Sequence, residues 1–175
     1  MDAEVIQMVL HMYGGDESCC GAFTTGGTES ILMAMKAYRD WGRAVKGITQ
    51  PNIVAGITAH AAFDKAAQYF GIQLRHARTH AATQEVDVSH VASLVDGNTV
   101  VIVGSSPQYA HGTVDPIEEL AAPALSRGVG MPVDCCPGAF LLPFMKKARA
   151  PSRPDPSALP SRPPRPPPPP PPPPP

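Results

Sequence analysis

Four short apolar runs with helical segments between them constrain this chain more than any other feature. Asn52-Ile53-Val54-Ala55-Gly56-Ile57, Ile72 to Arg75, Thr99 to Gly104 and Met131-Pro132-Val133-Asp134 each read as a strand. Thr99 to Gly104 is so continuously apolar that it reads as a buried strand. Glu4 to Met12 carries Val5, Ile6, Val9 and Leu10 at helical spacing and stops at Gly14-Gly15. A second helix follows Gly27 and runs to about Trp41, with Gly42 as its stop. Ala61 to Phe70 is a helix closed by Gly71, and Val88 to Val95 is a short one before the turn Asp96-Gly97-Asn98. Asp115-Pro116-Ile117-Glu118 opens another, with Asp115 as its cap and a proline at the first helical position, reaching about Ser126. Strands interleaved with helices imply an α/β fold, a mainly parallel sheet flanked by helices. Ligands of such sheets collect beyond the carboxyl ends of the strands.

Composition limits how much of the chain can take part. Beyond Ala150 the sequence turns into Pro, Ser and Arg and ends in unbroken proline from Pro166 to Pro175. Residues 151–175 cannot bury a core and are expected to be extended or disordered. Residues 1–150 are enough for a core and form the expected folded domain. The net charge of −1 argues against nucleic acid or an anionic membrane as the main partner. No apolar run approaches the roughly 18 residues of a membrane-spanning helix. The amino-terminal residues carry Asp2 and Glu4 without a basic stretch and are not expected to be a signal peptide, so the chain reads as cytosolic. The cysteines form two adjacent pairs, Cys19-Cys20 and Cys135-Cys136, without the spacing of a zinc site or a CxxC motif. They read as reduced thiols, and no metal site is expected.

Polar residues fall where a ligand would collect. Thr24-Thr25-Gly26-Gly27-Thr28-Glu29-Ser30 precedes the apolar stripe Ile31, Leu32, Met35 and Tyr38. Two glycines allow close backbone approach. Thr28 is the candidate N-cap, and the helix start behind it is an anion site. His60 follows one strand, Ser105 to Gly112 follows another and Asp134 ends a third. Each has a plainer reading: a glycine turn with a capped helix, a histidine capping the next helix, a connector, a turn aspartate. Together they suit a planar, phosphorylated, nitrogen-containing ring such as pyridoxal phosphate, which needs an anion cradle, a stacking partner and a carboxylate facing its nitrogen.

The residues also carry a family resemblance. Thr25-Gly26-Gly27-Thr28-Glu29-Ser30-Ile31-Leu32-Met33-Ala34, Ala59-His60-Ala61-Ala62-Phe63-Asp64-Lys65-Ala66, Ser106-Pro107-Gln108-Tyr109-Ala110-His111-Gly112 and Val133-Asp134 resemble the sphingosine-1-phosphate lyases. The resemblance runs from about Met1 to Lys147. It implies an aspartate-aminotransferase-like fold, that of the fold type I pyridoxal-phosphate enzymes, with residues 1–150 as an incomplete large domain. Gly26, Gly27 and Thr28 would then hold the cofactor phosphate, His60 would stack on the ring and Asp134 would pair with its nitrogen. Gln108 and His111 would lie nearby without assigned roles. The implied reaction is retro-aldol cleavage of a phosphorylated sphingoid base to a fatty aldehyde and phosphoethanolamine, by a homodimer at the endoplasmic reticulum membrane.

The chain departs from that pattern in ways that bear on activity. The family's Schiff-base lysine follows the aspartate by several tens of residues, whereas here the match stops near Lys147. None of Lys36, Lys46, Lys65, Lys146 and Lys147 has its context, so no catalytic residue is assigned and the chain is expected to be inactive as it stands. Pro132 stands where a histidine is usual, and Pro137 enters a stretch that is normally Leu-Gly-Gly-like. Two alternatives stay open: a pyridoxal-phosphate amino-acid decarboxylase fragment, or a non-catalytic interaction protein. The second would use Arg162 to Pro175 as a polyproline ligand for SH3-like or profilin-like grooves. The tail also reads as translated non-coding or frame-shifted sequence, since the motif match ends where the bias begins.

Overall fold

The computed structural model describes residues 1–145. The proline-rich residues 151–175, Lys146 and Lys147 lie outside the described residues. In chain order the elements are α1 (Asp2–Met12), α2 (Gly27–Lys46), β1 (Asn52–Gly56), α3 (Ala62–Phe70), β2 (Gln73–Ala77) and α4 (Val88–Leu94). Then come β3 (Thr99–Ile102), β4 (Gly104–Ser105), α5 (Ile117–Arg127), β5 (Val133–Asp134) and a 3-10 turn at Leu142–Phe144.

β1 is the central strand, paired in parallel with β2 on one side and β3 on the other. The sheet extends past β3 through a parallel bridge between Val101 and Gly130 and a short parallel ladder, Gly104 opposite Val133 and Ser105 opposite Asp134. Alternation along the strands sorts their side chains into two cores. Ile53, Ala55, Val101 and Val103 face α2 and α3, packing with Ile31, Met35, Phe63 and Ala66. Val54 and Ile102 face α4 and α5, packing with Val91, Leu120, Ala124 and Val129. All five residues of β1 and all four of β3 are buried, as continuous apolar strands require when helices cover both faces. The expected α/β fold with a parallel sheet flanked by helices is what the chain adopts.

Helix ends written in local chemistry fall where expected. α3 stops at Gly71 and α5 at Gly128, both left-handed with φ of 62° and 59°. Three readings need correction. Gly42 does not stop α2; the helix continues to Lys46 and ends at left-handed Gly47. A Cβ on Gly42 would lie 2.5 Å from Val100 Cγ1, so the glycine lets helix and strand approach, and packing overrides its weak propensity. Thr28 is not the N-cap of α2: Gly26 is, and Thr28 stands within the first turn. Asp115 does not cap α5, whose N-cap is Pro116; its side chain turns inward and is 3% exposed. The strands are also shorter than expected: Thr99 to Gly104 divides at Val103, and the last is only Val133–Asp134.

A polar knot closes the amino ends of the strands. Asp96 accepts from Asn52 Nδ2 at 2.8 Å and from the Asn98 amide at 2.9 Å, and it pairs with Arg75 at 2.7 Å. These contacts, led by the Asn52 amide, lower its carboxyl from the usual 3.8 to about 2. A carboxyl depressed on folding stabilises the fold fully above the unfolded value and loses that contribution as pH falls through the folded one. Lowering pH from about 4 to about 2 should therefore reduce the urea midpoint, and Asp96→Asn should flatten that slope. The side chain is 41% exposed, so the effect should stay below about 1 kcal/mol. An unchanged slope in the variant would show that other groups carry it.

Candidate functional site

The strand order places a switch point between β1 and β3, since the chain turns to β2 on one side and to β3 on the other. Crevices at such points, beyond the carboxyl ends of the strands, are where α/β sheets hold ligands. His60 follows β1, Ser106 to Gly112 follows β4, and Asp134 ends β5. All three therefore stand at the same edge of the sheet.

The start of α2 is held by its own side chains. Thr24 Oγ1 donates to Gly26 O at 3.1 Å and meets Ser30 Oγ at 2.6 Å. Glu29 reaches back to accept from the Thr25 amide at 2.6 Å and the Thr25 hydroxyl at 2.7 Å, which hold its carboxyl below the usual range. The first helical bond runs from Ser30 N to Gly26 O, so the amides of Gly27, Thr28 and Glu29 have no acceptor within the helix. Space beside Gly26 is open, with no atom within 4 Å of where a Cβ would stand. Gly27 is different. A Cβ there would lie 2.3 Å from Cys136 Sγ, so its close approach is made to a cysteine two residues beyond Asp134.

The plainer readings of His60 and Asp134 describe real contacts. His60 Nδ1 accepts from the Ala62 amide at 3.1 Å, capping the start of α3. Its Nε2 has no hydrogen-bond partner among the described residues, and its ring meets Tyr109 edge-on, centroids 5.5 Å apart at 83°. Asp134 Oδ1 accepts from the Cys136 amide at 3.0 Å, and Asp134 O accepts from Ser106 N at 2.8 Å. Burial, and then the Asp134 charge, pushes the Cys135 thiol up to about 11; the same causes raise Cys136. Both thiols are therefore protonated near neutral pH, and all four cysteines are free.

Three contacts thus tie the expected site residues together: Gly27 on Cys136, Ser106 on Asp134 and Tyr109 on His60. Of the residues left without roles, Gln108 is buried and turned toward Asp115 at 2.7 Å, while His111 is exposed. Tyr109 and Cys136 are the contributors that sequence reasoning missed. The lysines among the described residues are engaged elsewhere: Lys36 with Asp40 at 2.7 Å, Lys46 with Gly128 O at 2.6 Å, Lys65 over the Tyr69 ring at 5.4 Å.

The chain has relatives among known proteins. Residues 7–144 match the family model described as aminotransferase class-V. The chain belongs to that family. Within the aminotransferase class-V proteins, it is 46% identical over 154 residues to sphingosine-1-phosphate lyase of Drosophila melanogaster, covering 88% of this chain and 28% of the fly protein. The solved sphingosine-1-phosphate lyase of Burkholderia pseudomallei superposes with a TM-score of 0.86 at 38% identity, over 91% of this chain and 38% of that one. Glutamate decarboxylase of Lactobacillus brevis has the same fold, with a TM-score of 0.70 at 24% identity over 83% of this chain and 36% of that one. The chain spans about a quarter of the length of the curated lyase it matches. Among the described residues no helix is long and apolar enough to cross a membrane.

Proposed function

We propose that this chain carries the phosphate- and ring-holding side of a pyridoxal-phosphate site from a carbon–carbon lyase of the sphingosine-1-phosphate lyase kind. The observation that supports it is the convergence of the α2 start, His60 and Asp134 on the switch-point edge through Gly27–Cys136, Ser106–Asp134 and Tyr109–His60. The residues fit the group. The free amides of Gly27 and Thr28 beside the open face of Gly26 accept an anion with help from the helix dipole. His60 offers a ring with Nδ1 already fixed by Ala62, so its plane is set before a pyridine ring stacks on it. Asp134, oriented by the Cys136 amide, keeps a proton on the pyridine nitrogen. When bound, the cofactor supplies an electron sink for breaking a bond next to an amine. The substrate on this reading is a phosphorylated sphingoid base, cleaved to a fatty aldehyde and phosphoethanolamine. The lysines among the described residues, Lys36, Lys46 and Lys65, are all committed away from the site, so none of them is expected to hold the cofactor covalently, and cleavage is not expected.

Titrating pyridoxal phosphate into the full chain tests this. The dipole contributes about 0.3–1 kcal/mol and a charge-assisted hydrogen bond about 1.5–3 kcal/mol, against at least about 4 kcal/mol for immobilising the ligand. With stacking and the Asp134 bond added, the expected binding is weak, with a Kd no tighter than about millimolar. Asp134→Asn should weaken it several-fold, and borohydride should fix no adduct on Lys36, Lys46 or Lys65. Binding indifferent to Asp134→Asn, or a single reduced lysine, would overturn the assignment.

A further inference from the structure

Asp115 has no place in the site as described, yet its environment is the most demanding in the domain. The residue is 3% exposed and its carboxylate accepts three hydrogen bonds. The Ser105 amide donates at 2.9 Å, the Val86 amide at 3.1 Å and Gln108 Nε2 at 2.7 Å. Its own amide returns a bond to Ser105 O at 3.0 Å. Burial raises the carboxyl while the three donors oppose that rise, Gln108 first among them. A buried carboxylate is tolerated only when it is saturated by such donors.

Those donors lead to the site. Ser105 lies opposite Asp134 in the β4–β5 ladder, and Ser106 donates to Asp134 O. Gln108 is 1% exposed; its Nε2 also donates to Gln84 O at 2.9 Å, and its Oε1 has no partner. The Gln108 amide donates to Thr113 O at 2.7 Å, and Gly112 N donates to Gln108 O at 3.0 Å, which closes the loop on itself. The next residue, Tyr109, is 77% exposed and stands edge-on to His60. An exposed ring whose neighbour in the chain is fully buried takes its position from that neighbour.

We propose that Asp115 is a positioning residue for the site: through Ser105 and Gln108 it holds residues 105–112 in the conformation that presents Tyr109 to His60. Its functional meaning rests on the pyridoxal-phosphate reading above; the mechanical coupling does not. The Gln108 side chain is placed by the two bonds of its Nε2, the shorter of them to the Asp115 carboxylate, while its Oε1 has no partner.

Hydrogen exchange on the full chain without added ligand tests the coupling. In Gln108→Ala, Asp115 keeps its two backbone donors, so the fold should survive. Exchange across residues 105–112 should then rise on the order of tenfold, while β1 and β3 stay within about twofold of wild type. The His60 ring resonances should shift as Tyr109 leaves. Asp115→Asn, which keeps an acceptor for a backbone amide, should loosen the loop less than Asp115→Ala. Unchanged exchange in residues 105–112 of Gln108→Ala, or a rise shared equally by β1 and β3, would overturn the proposal, whether or not Asp115→Ala folds. Pyridoxal phosphate added to Gln108→Ala should bind several-fold more weakly than to wild type. A wild type that binds none would sink the cofactor reading, and the exchange comparison would still judge Asp115.

Discussion

Gly27→Ala is expected to lower stability by about 1 kcal/mol, the low end of the range for forcing extra carbon into a contact because Cys136 is exposed, and to weaken pyridoxal phosphate binding several-fold. The added Cβ would lie 2.3 Å from Cys136 Sγ but 3.8 Å from Cys136 Cβ. The first distance is a clash and the second an ordinary contact, so the sulfur alone is the obstacle. Cys136 is exposed, so relief comes from turning its Sγ about χ1 or from a small shift of the α2 start or of the turn after Asp134, and the last two bear on the proposed site. Cys136→Ala in the same chain removes the sulfur and should recover most of the stability, with a coupling between the two positions at the low end of the roughly 0.5–3 kcal/mol range for residues in contact. Urea midpoints for wild type, both single variants and the double variant measure it, alongside the ligand titration. A double variant no more stable than Gly27→Ala would mean that the clash is not with the sulfur.

Leu120→Ala should cost about 2–5 kcal/mol, whereas Leu125→Ala, on the other face of α5, should stay within about 0.5 kcal/mol of wild type. Leu120 is fully buried among Val54, Val91, Ile102 and Val129; Leu125 is 65% exposed. The two substitutions delete the same atoms from the same helix, so propensity changes cancel and burial alone separates them. Equal losses at both positions would show that the α5 face has been assigned wrongly.

Much of this architecture could be read from short stretches of sequence. The apolar runs at Asn52 to Gly56 and Thr99 to Ile102 specify strands covered on both faces. Gly71 and Gly128 end helices because a left-handed residue is cheapest there as glycine, a condition set within one turn of chain. The motif residues Gly26, Gly27, Thr28, His60 and Asp134 were likewise marked by their neighbours in sequence and by the family resemblance those neighbours carry.

What could not be read was set by residues distant in the chain. Gly42 reads as a stop until Val100 is seen packed against it, and the contact of Gly27 with Cys136 has no sign in the residues around either. Asp115 carries every local sign of a helix cap. It turns inward, where Ser105, Val86 and Gln108 supply its carboxylate with three donors from residues distant in the chain. Sequence by itself determined the elements and their order, since periodicity and helix capping act over a few residues. Tertiary structure alone decided which glycines are contacts, which carboxylate is buried and which loop faces His60, because each depends on atoms that only the packed sheet brings within bonding distance.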